Sequence, residues 1–245
     1  MNRGRRFYFA LLYGALSHLT FVVAVGFMVV GLYQGLRTGF GPFRGPHAWI
    51  ANTLLVVQFP VLHSWLLSPS GRKLLARLAP ADFGQDLAPT TFAWISSLQV
   101  LATFALWSPS GIVLDDASGA SLWAFRAGFA ASWLFLIKAL GDAGLGLQTG
   151  FIGWTSVLRG RRTPFGDFPT RGLFRFCRQP VYLGFALTLW TGPVHTLDGL
   201  VLALTWTTYC VAGPLHKELR YLGWYGERFS RYRASVPYFL PRFKK

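Results

Sequence analysis

FYFALLYGALSHLTFVVAVGFMVVGLY, residues Phe7–Tyr33, contains no charged side chain and exceeds the ~20 apolar residues that carry an α-helix across a bilayer. Arg3, Arg5 and Arg6 precede it and no small-residue cleavage site interrupts it, so it reads as a first membrane helix and not as a removable signal. Similar apolar stretches follow at Ala48–Leu67, Thr90–Trp107 and Ser121–Leu140. A fifth, Val181–Leu215, is too long for one span and is broken by Thr191, Gly192 and Pro193; it reads as a hairpin of one short and one fuller helix. The sequence therefore predicts an all-α, multi-pass transmembrane helical bundle of six segments ending in a helical hairpin.

The composition agrees with a bilayer protein. Of 245 residues, 52% are hydrophobic and 17% aromatic, but only 13% are charged. The net charge of +15 would suit a nucleic-acid binder. The basic residues, however, sit between the apolar runs and not along one helix face, so no nucleic-acid partner is expected and the charge reads as topology information and attraction to anionic lipid. With the N-terminus in the cytoplasm, twenty Lys and Arg fall on the inner side and only Arg37 and Arg44 on the outer. That asymmetry predicts a multi-pass inner-membrane protein with both termini cytoplasmic. Two cysteines, Cys177 and Cys210, are too few for a disulfide framework or a zinc site.

From Gln148 the chain becomes rich in Gly, Pro and Arg, which divides it into N-terminal membrane helices, 1–147, and a C-terminal region, 148–245, of lead-in, hairpin and polar tail. After Pro214 the tail is expected to be helical through about Ala234 and to stop before Pro237 and Pro241. Dinucleotide loops, phosphate loops, Gly-x-Ser-x-Gly and paired metal ligands are missing. The chemistry concentrates at the mouth of the hairpin, where RFCRQPVYLG (Arg175–Gly184) enters and Glu218 leaves. Arginine, amide, tyrosine, a glycine permitting close approach and a carboxylate suit S-adenosylmethionine: Arg178 for its carboxylate, Glu218 for its ammonium or ribose hydroxyls, and an aromatic face for the sulfonium. The alternative is that Arg178 and Glu218 form a structural pair or interfacial anchors. His63, beside Ser64, reads equally as a group that orients or deprotonates a thiol and as a helix–helix hydrogen bonder. Lys138 and Asp142, four apart, read as mutual neutralisation on one helix face. His195 reads as an interfacial residue at the outer turn, and Cys177 as a small packing residue.

RGLFRFCRQPVYLGF, a hairpin, and then HKELRYLGWYGERFSRYRASVPYFLP resemble the membrane methyltransferases that include isoprenylcysteine carboxyl methyltransferase and phospholipid N-methyltransferase. VLHSWLLSPSGRK and LRGRRTPFGDFPTRGLFRF extend the likeness towards the methanethiol S-methyltransferase branch. On this resemblance Arg178, Pro180, Tyr182 and Gly184 match the family's Arg-His-Pro-x-Tyr-x-Gly box, Glu218 matches the second glutamate of its pair, and Gly226, Tyr232 and Pro237 match its tail. Three positions depart: Gln179 stands for the histidine, Lys217 for the first glutamate and Phe229 for the first tyrosine. The resemblance implies S-adenosylmethionine as cofactor, held by Arg178, Gln179, Pro180, Tyr182, Gly184, Glu218 and Tyr232 in a cytoplasmic cofactor-binding tail region. It also implies His63, Arg178 and Glu218 as catalytic candidates and a small thiol or lipid-like molecule as substrate. Rival readings are an NADPH-dependent reductase of the sterol-reductase type and a non-catalytic protein that retains the fold. The topology has a direct check: a cysteine placed at Lys245 should react with an impermeant reagent only after cells are permeabilised, and labelling of intact cells would reverse the assignment.

Overall fold

The computed structural model describes residues 3–80 and 82–241; Arg242, Lys244 and Lys245 of the basic tail lie outside them. In chain order the elements are α1 (Arg3–Tyr33), α2 (Gly45–Leu66), α3 (Pro69–Leu78), α4 (Gly84–Ala105), β1 (Val113–Asp116), α5 (Gly119–Asp142), α6 (Leu145–Gln148) and α7 (Phe151–Arg159). A 3₁₀ turn (Gly172–Arg175), α8 (Pro180–Trp190), β2 (Val194–Thr196), α9 (Leu197–Tyr225) and α10 (Glu227–Ser235) complete the chain. The protein is an all-α helical bundle, and each of the six expected apolar segments lies on a helix. Of these, α1, α2 and α5 are long and apolar enough to cross a membrane, and α8 is apolar but shorter. Leu19, Leu54 and Leu134 are 63%, 66% and 68% exposed on those helices, as expected of side chains whose solvent is lipid.

Two compact units are present. One comprises 1–31, 38–109 and 145–166. Its centre is the packing of Ala10, Leu87, Ala79 and Val157. Between apolar helices hydrophobicity supplies little attraction, and polar side chains hold α2 to α4 instead. Gln58 Nε2 donates to Gln99 O (3.0 Å) while Gln99 Nε2 donates to Gln58 Oε1 (2.8 Å). One end of the seam is closed by Asn52, which donates to Ser108 O (2.8 Å) and accepts from Ser108 N (3.0 Å). His63 continues the seam towards the other end, Nδ1 lying 3.0 Å from Ser96 Oγ.

The second unit comprises 32–37, 110–144 and 167–245. Here α8 packs between α5 and α9. Gly184 permits this: a Cβ there would stand 3.0 Å from Leu136 Cα on α5, so the glycine lets two helices approach. At the far end of the hairpin the Thr191–Pro193 break leads into an antiparallel ribbon pairing β1 with β2, in which His195 faces Asp115 at 3.8 Å. Thr196 caps α9 by accepting from Gly199 N (2.9 Å), and buried Asp198 accepts from the Ser110 hydroxyl (2.6 Å). No sequence pattern announced this ribbon.

The tail departs from expectation. Instead of a separate helix from Pro214 to Ala234, α9 runs through Pro214 and ends at Tyr225. Proline removes one donor from the ladder without forcing an end where neighbours brace the helix. The break comes at Gly226, whose φ of 52° and ψ of −126° suit a residue without a Cβ, and α10 follows at a new angle. Replacing Gly184 by valine should push α5 from α8 and cost about 1–3 kcal/mol, read as a lowered melting temperature in detergent, with Gly184→Ala milder.

Candidate active site

The hairpin mouth of the second unit gathers its polar residues around one carboxylate. Glu218, on α9 just beyond the last apolar segment, is 3% exposed. Arg178, in the residue pair before α8, reaches it twice, Nε to Oε1 at 2.8 Å and Nη2 to Oε2 at 3.2 Å. Gln179 Nε2 donates to the same Oε1 at 2.8 Å. Arg233 of α10 adds a guanidinium 3.7 Å from Oε2. A carboxylate this deep requires such partners, because burying it unpaired costs several kcal/mol.

Arg178 does more than neutralise Glu218. Its Nη1 donates to Arg233 O (2.8 Å) and Val236 O (2.5 Å), its backbone N–H donates to Pro237 O (2.9 Å), and its guanidinium lies 5.4 Å from the Tyr238 ring. Four of its five side-chain N–H groups are thus engaged within the protein. A two-point contact with a ligand carboxylate would require Arg178 to release the tail or Glu218. Tyr232 fastens the tail a second time by donating to Phe174 O (2.7 Å), and Tyr238 a third time, donating to Val211 O (2.5 Å). Burial pushes the Tyr232 hydroxyl well above its ordinary range, and burial with the nearby Glu218 charge raises Tyr238 to about 12. Both therefore remain donors throughout the physiological range.

Gln179 is 2% exposed, and its Oε1 has no hydrogen-bond partner among the described residues. A buried carbonyl left in this state is a place for a ligand donor. Pro180 is buried as the first residue of α8, its ring preset for a helix start. Tyr182, two residues on, receives Lys217 over its ring, Nζ at 5.0 Å from the centroid, with Tyr221 at 6.0 Å. Burial, opposed by the neighbouring Glu218 charge and reinforced by Arg220, pushes Lys217 down to about 8.

Arg178, Gln179, Pro180, Tyr182, Gly184, Glu218 and Tyr232 are therefore all in one unit, Gly184 against α5 and Tyr232 against the 3₁₀ turn. His63 belongs to the other. Its ring lies 4.8 Å from Phe59 and 4.7 Å from Phe92. The Ser96 hydroxyl that meets Nδ1 also lies 2.8 Å from Phe92 O. The helix–helix hydrogen bond is thus present.

Several contributors were not evident from the sequence. Lys138 does pair with Asp142, but Asp142 also accepts from Leu173 N (2.8 Å) and so anchors the turn before the box. Phe168 lies at the centre of a ring cluster with Tyr225 (4.9 Å), Phe229 (5.3 Å) and Tyr232 (5.6 Å), covered by Arg228, which also pairs with Asp167. Phe229 is 2% exposed there, an environment that suits a ring without a hydroxyl. Cys177 is buried, and burial raises its thiol above the ordinary value, in keeping with a packing role. The alternating aromatic and basic residues of GERFSRYRASVPYF were the available signal for the tail contacts.

The chain is 28% identical to methanethiol S-methyltransferase 2 of Bradyrhizobium diazoefficiens over 95% of its own length and 90% of that protein. It is 27% identical to methanethiol S-methyltransferase of Mycobacterium tuberculosis over 96% of each. These similarities support the membrane methyltransferase superfamily that the box and tail resemble. A Nurim homolog of Drosophila melanogaster is 28% identical over 71% of this chain and 68% of its own. No family model and no solved structure matches. In this protein the buried ion pair has a measurable weight. Glu218→Ala should destabilise the protein by about 3–5 kcal/mol because Arg178 is left buried and unpaired. Arg178→Met with Glu218→Leu should recover part of that loss in a double-mutant cycle.

Proposed function

We propose that this protein is an inner-membrane S-adenosylmethionine-dependent methyltransferase whose acceptor is a small apolar thiol of the methanethiol kind, with both termini in the cytoplasm. The observation that carries the reading is the buried Glu218 carboxylate beside the unpartnered Gln179 Oε1. Together they offer acceptors to an ammonium and to hydroxyls, the donors of the amino-acid and ribose parts of the methyl donor. The relatives named for methanethiol support the thiol as acceptor.

When bound, the donor supplies an electrophilic methyl group, and the protein's work is alignment and exclusion of water. Arg178 acts chiefly as a positioning residue: by holding Glu218 and the carbonyls of Arg233 and Val236 it keeps the tail folded over the hairpin mouth. Gln179 orients Glu218 and presents its free oxygen, but an amide does not titrate near neutral pH, so the acceptor's proton leaves by another group.

Calorimetric titration of the detergent-purified protein with S-adenosylhomocysteine should show binding, NADPH should show none, and headspace chromatography should detect dimethyl sulfide when methanethiol and S-adenosylmethionine are supplied. Binding of NADPH without S-adenosylhomocysteine would overturn the cofactor, and absence of any methylated thiol would overturn the reaction.

A further inference from the structure

A thiol attacks as its thiolate, and an alkanethiol lacking cysteine's electron-withdrawing neighbours holds its proton above the ~8.5 typical of cysteine. Near the hairpin mouth the Lys217 amine has no ion pair among the described residues. Glu218 is taken by Arg178 and Gln179, Asp142 by Lys138 and Leu173 N, and Arg228 by Asp167. The Lys217 amine lies against two rings, 5.0 Å from the Tyr182 centroid and 6.0 Å from that of Tyr221, and among the described residues no carboxylate forms a salt bridge with it. It follows the last apolar segment and adjoins Glu218 in sequence, at the same mouth where the amide of Gln179 occupies the neighbouring position without a titratable group.

We propose that Lys217 is the general base of the thiol methylation, its amine held against the faces of Tyr182 and Tyr221 on the residue next to Glu218; the inference rests on the methyltransfer reading above. The amine lone pair takes the S–H proton, leaving an ammonium and a thiolate. The thiolate sulfur then forms the bond to the donor's methyl carbon as the carbon–sulfonium bond breaks, its electron pair remaining on the departing sulfur. The thioether is neutral, and the ammonium returns its proton to water.

The surroundings suit both forms of the base. The groups facing it are Glu218, Arg220 and Tyr221 on α9, Tyr182 on α8 and Cys177 in the lead-in. Partial burial favours the free amine, and its ordinary value falls to about 8, so a usable fraction is unprotonated near neutrality. Once protonated, the ammonium is met by two ring faces and by the Glu218 charge. His63 lies in the other unit with its ring against Phe59 and Phe92, so Lys217 is the base assigned within the unit that holds the cluster.

The test uses the full-length protein in detergent with two readouts. The first is the rate of methanethiol methylation from pH 6 to 9 for wild type, Lys217→Met and Lys217→Arg. The wild-type rate should rise with pH through about 8, and both variants should lose that rise and about 10²-fold in kcat while keeping S-adenosylhomocysteine affinity, which confirms a folded site. The second is thiolate ultraviolet absorbance on mixing protein, S-adenosylhomocysteine and thiol, without turnover; wild type should show it at pH 8 and Lys217→Met should not. A Lys217→Met protein with the wild-type rate and pH profile would overturn the proposal, as would a wild type that forms no thiolate. Thiolate formation that depends on Lys217 in a protein silent on every thiol would sustain the base and overturn the methyltransfer reading. Should methionine disturb folding, Lys217→Gln is judged by the same two readouts.

Discussion

One buried carboxylate organises the functional unit. Glu218 sits where α9 leaves the apolar region, and its charge is tolerable there only because Arg178 and Gln179 come to it from the start of α8. The ion pair therefore joins the two arms of the hairpin. Since Arg178 also donates to the carbonyls of Arg233 and Val236, the same requirement folds the tail across the mouth. Hairpin, tail and candidate ligand acceptors are arranged by a single electrostatic debt.

The rest of the protein obeys the rule that polar groups among apolar helices must find each other. Gln58 and Gln99, Asn52 and Ser108, and His63 and Ser96 are separate solutions along α2 and α4. Each is local to its unit, and each gives direction to helix contacts that hydrophobicity alone would leave free to slide. Gly184 serves the complementary purpose, since without a side chain α8 meets the backbone of α5 at Leu136.

The departures at Gln179 and Lys217 also acquire a physical sense. An amide at 179 donates to Glu218 with an unpartnered oxygen left over, whereas a ring nitrogen has no carbonyl to offer. A lysine at 217 lies against the rings of Tyr182 and Tyr221, so its charge is met by aromatic faces.

The apolar runs determined the helices, because a bilayer leaves few ways to satisfy a backbone; Phe7–Tyr33 and Ser121–Leu140 needed no further information. The box Arg178–Gly184 and Glu218 were visible as chemistry for the same reason, charge at the edge of an apolar segment being costly. The sequence did not disclose the ribbon of β1 with β2, whose partners are far apart in the chain and carry no alternating pattern. Nor did it reveal that Pro214 would lie inside a helix while Gly226 ended one, since bracing by neighbours decides the first and a positive φ the second. Above all, only the tertiary structure decided what Arg178 does with its donors. Those acceptors are backbone carbonyls, which every residue possesses and no sequence pattern marks.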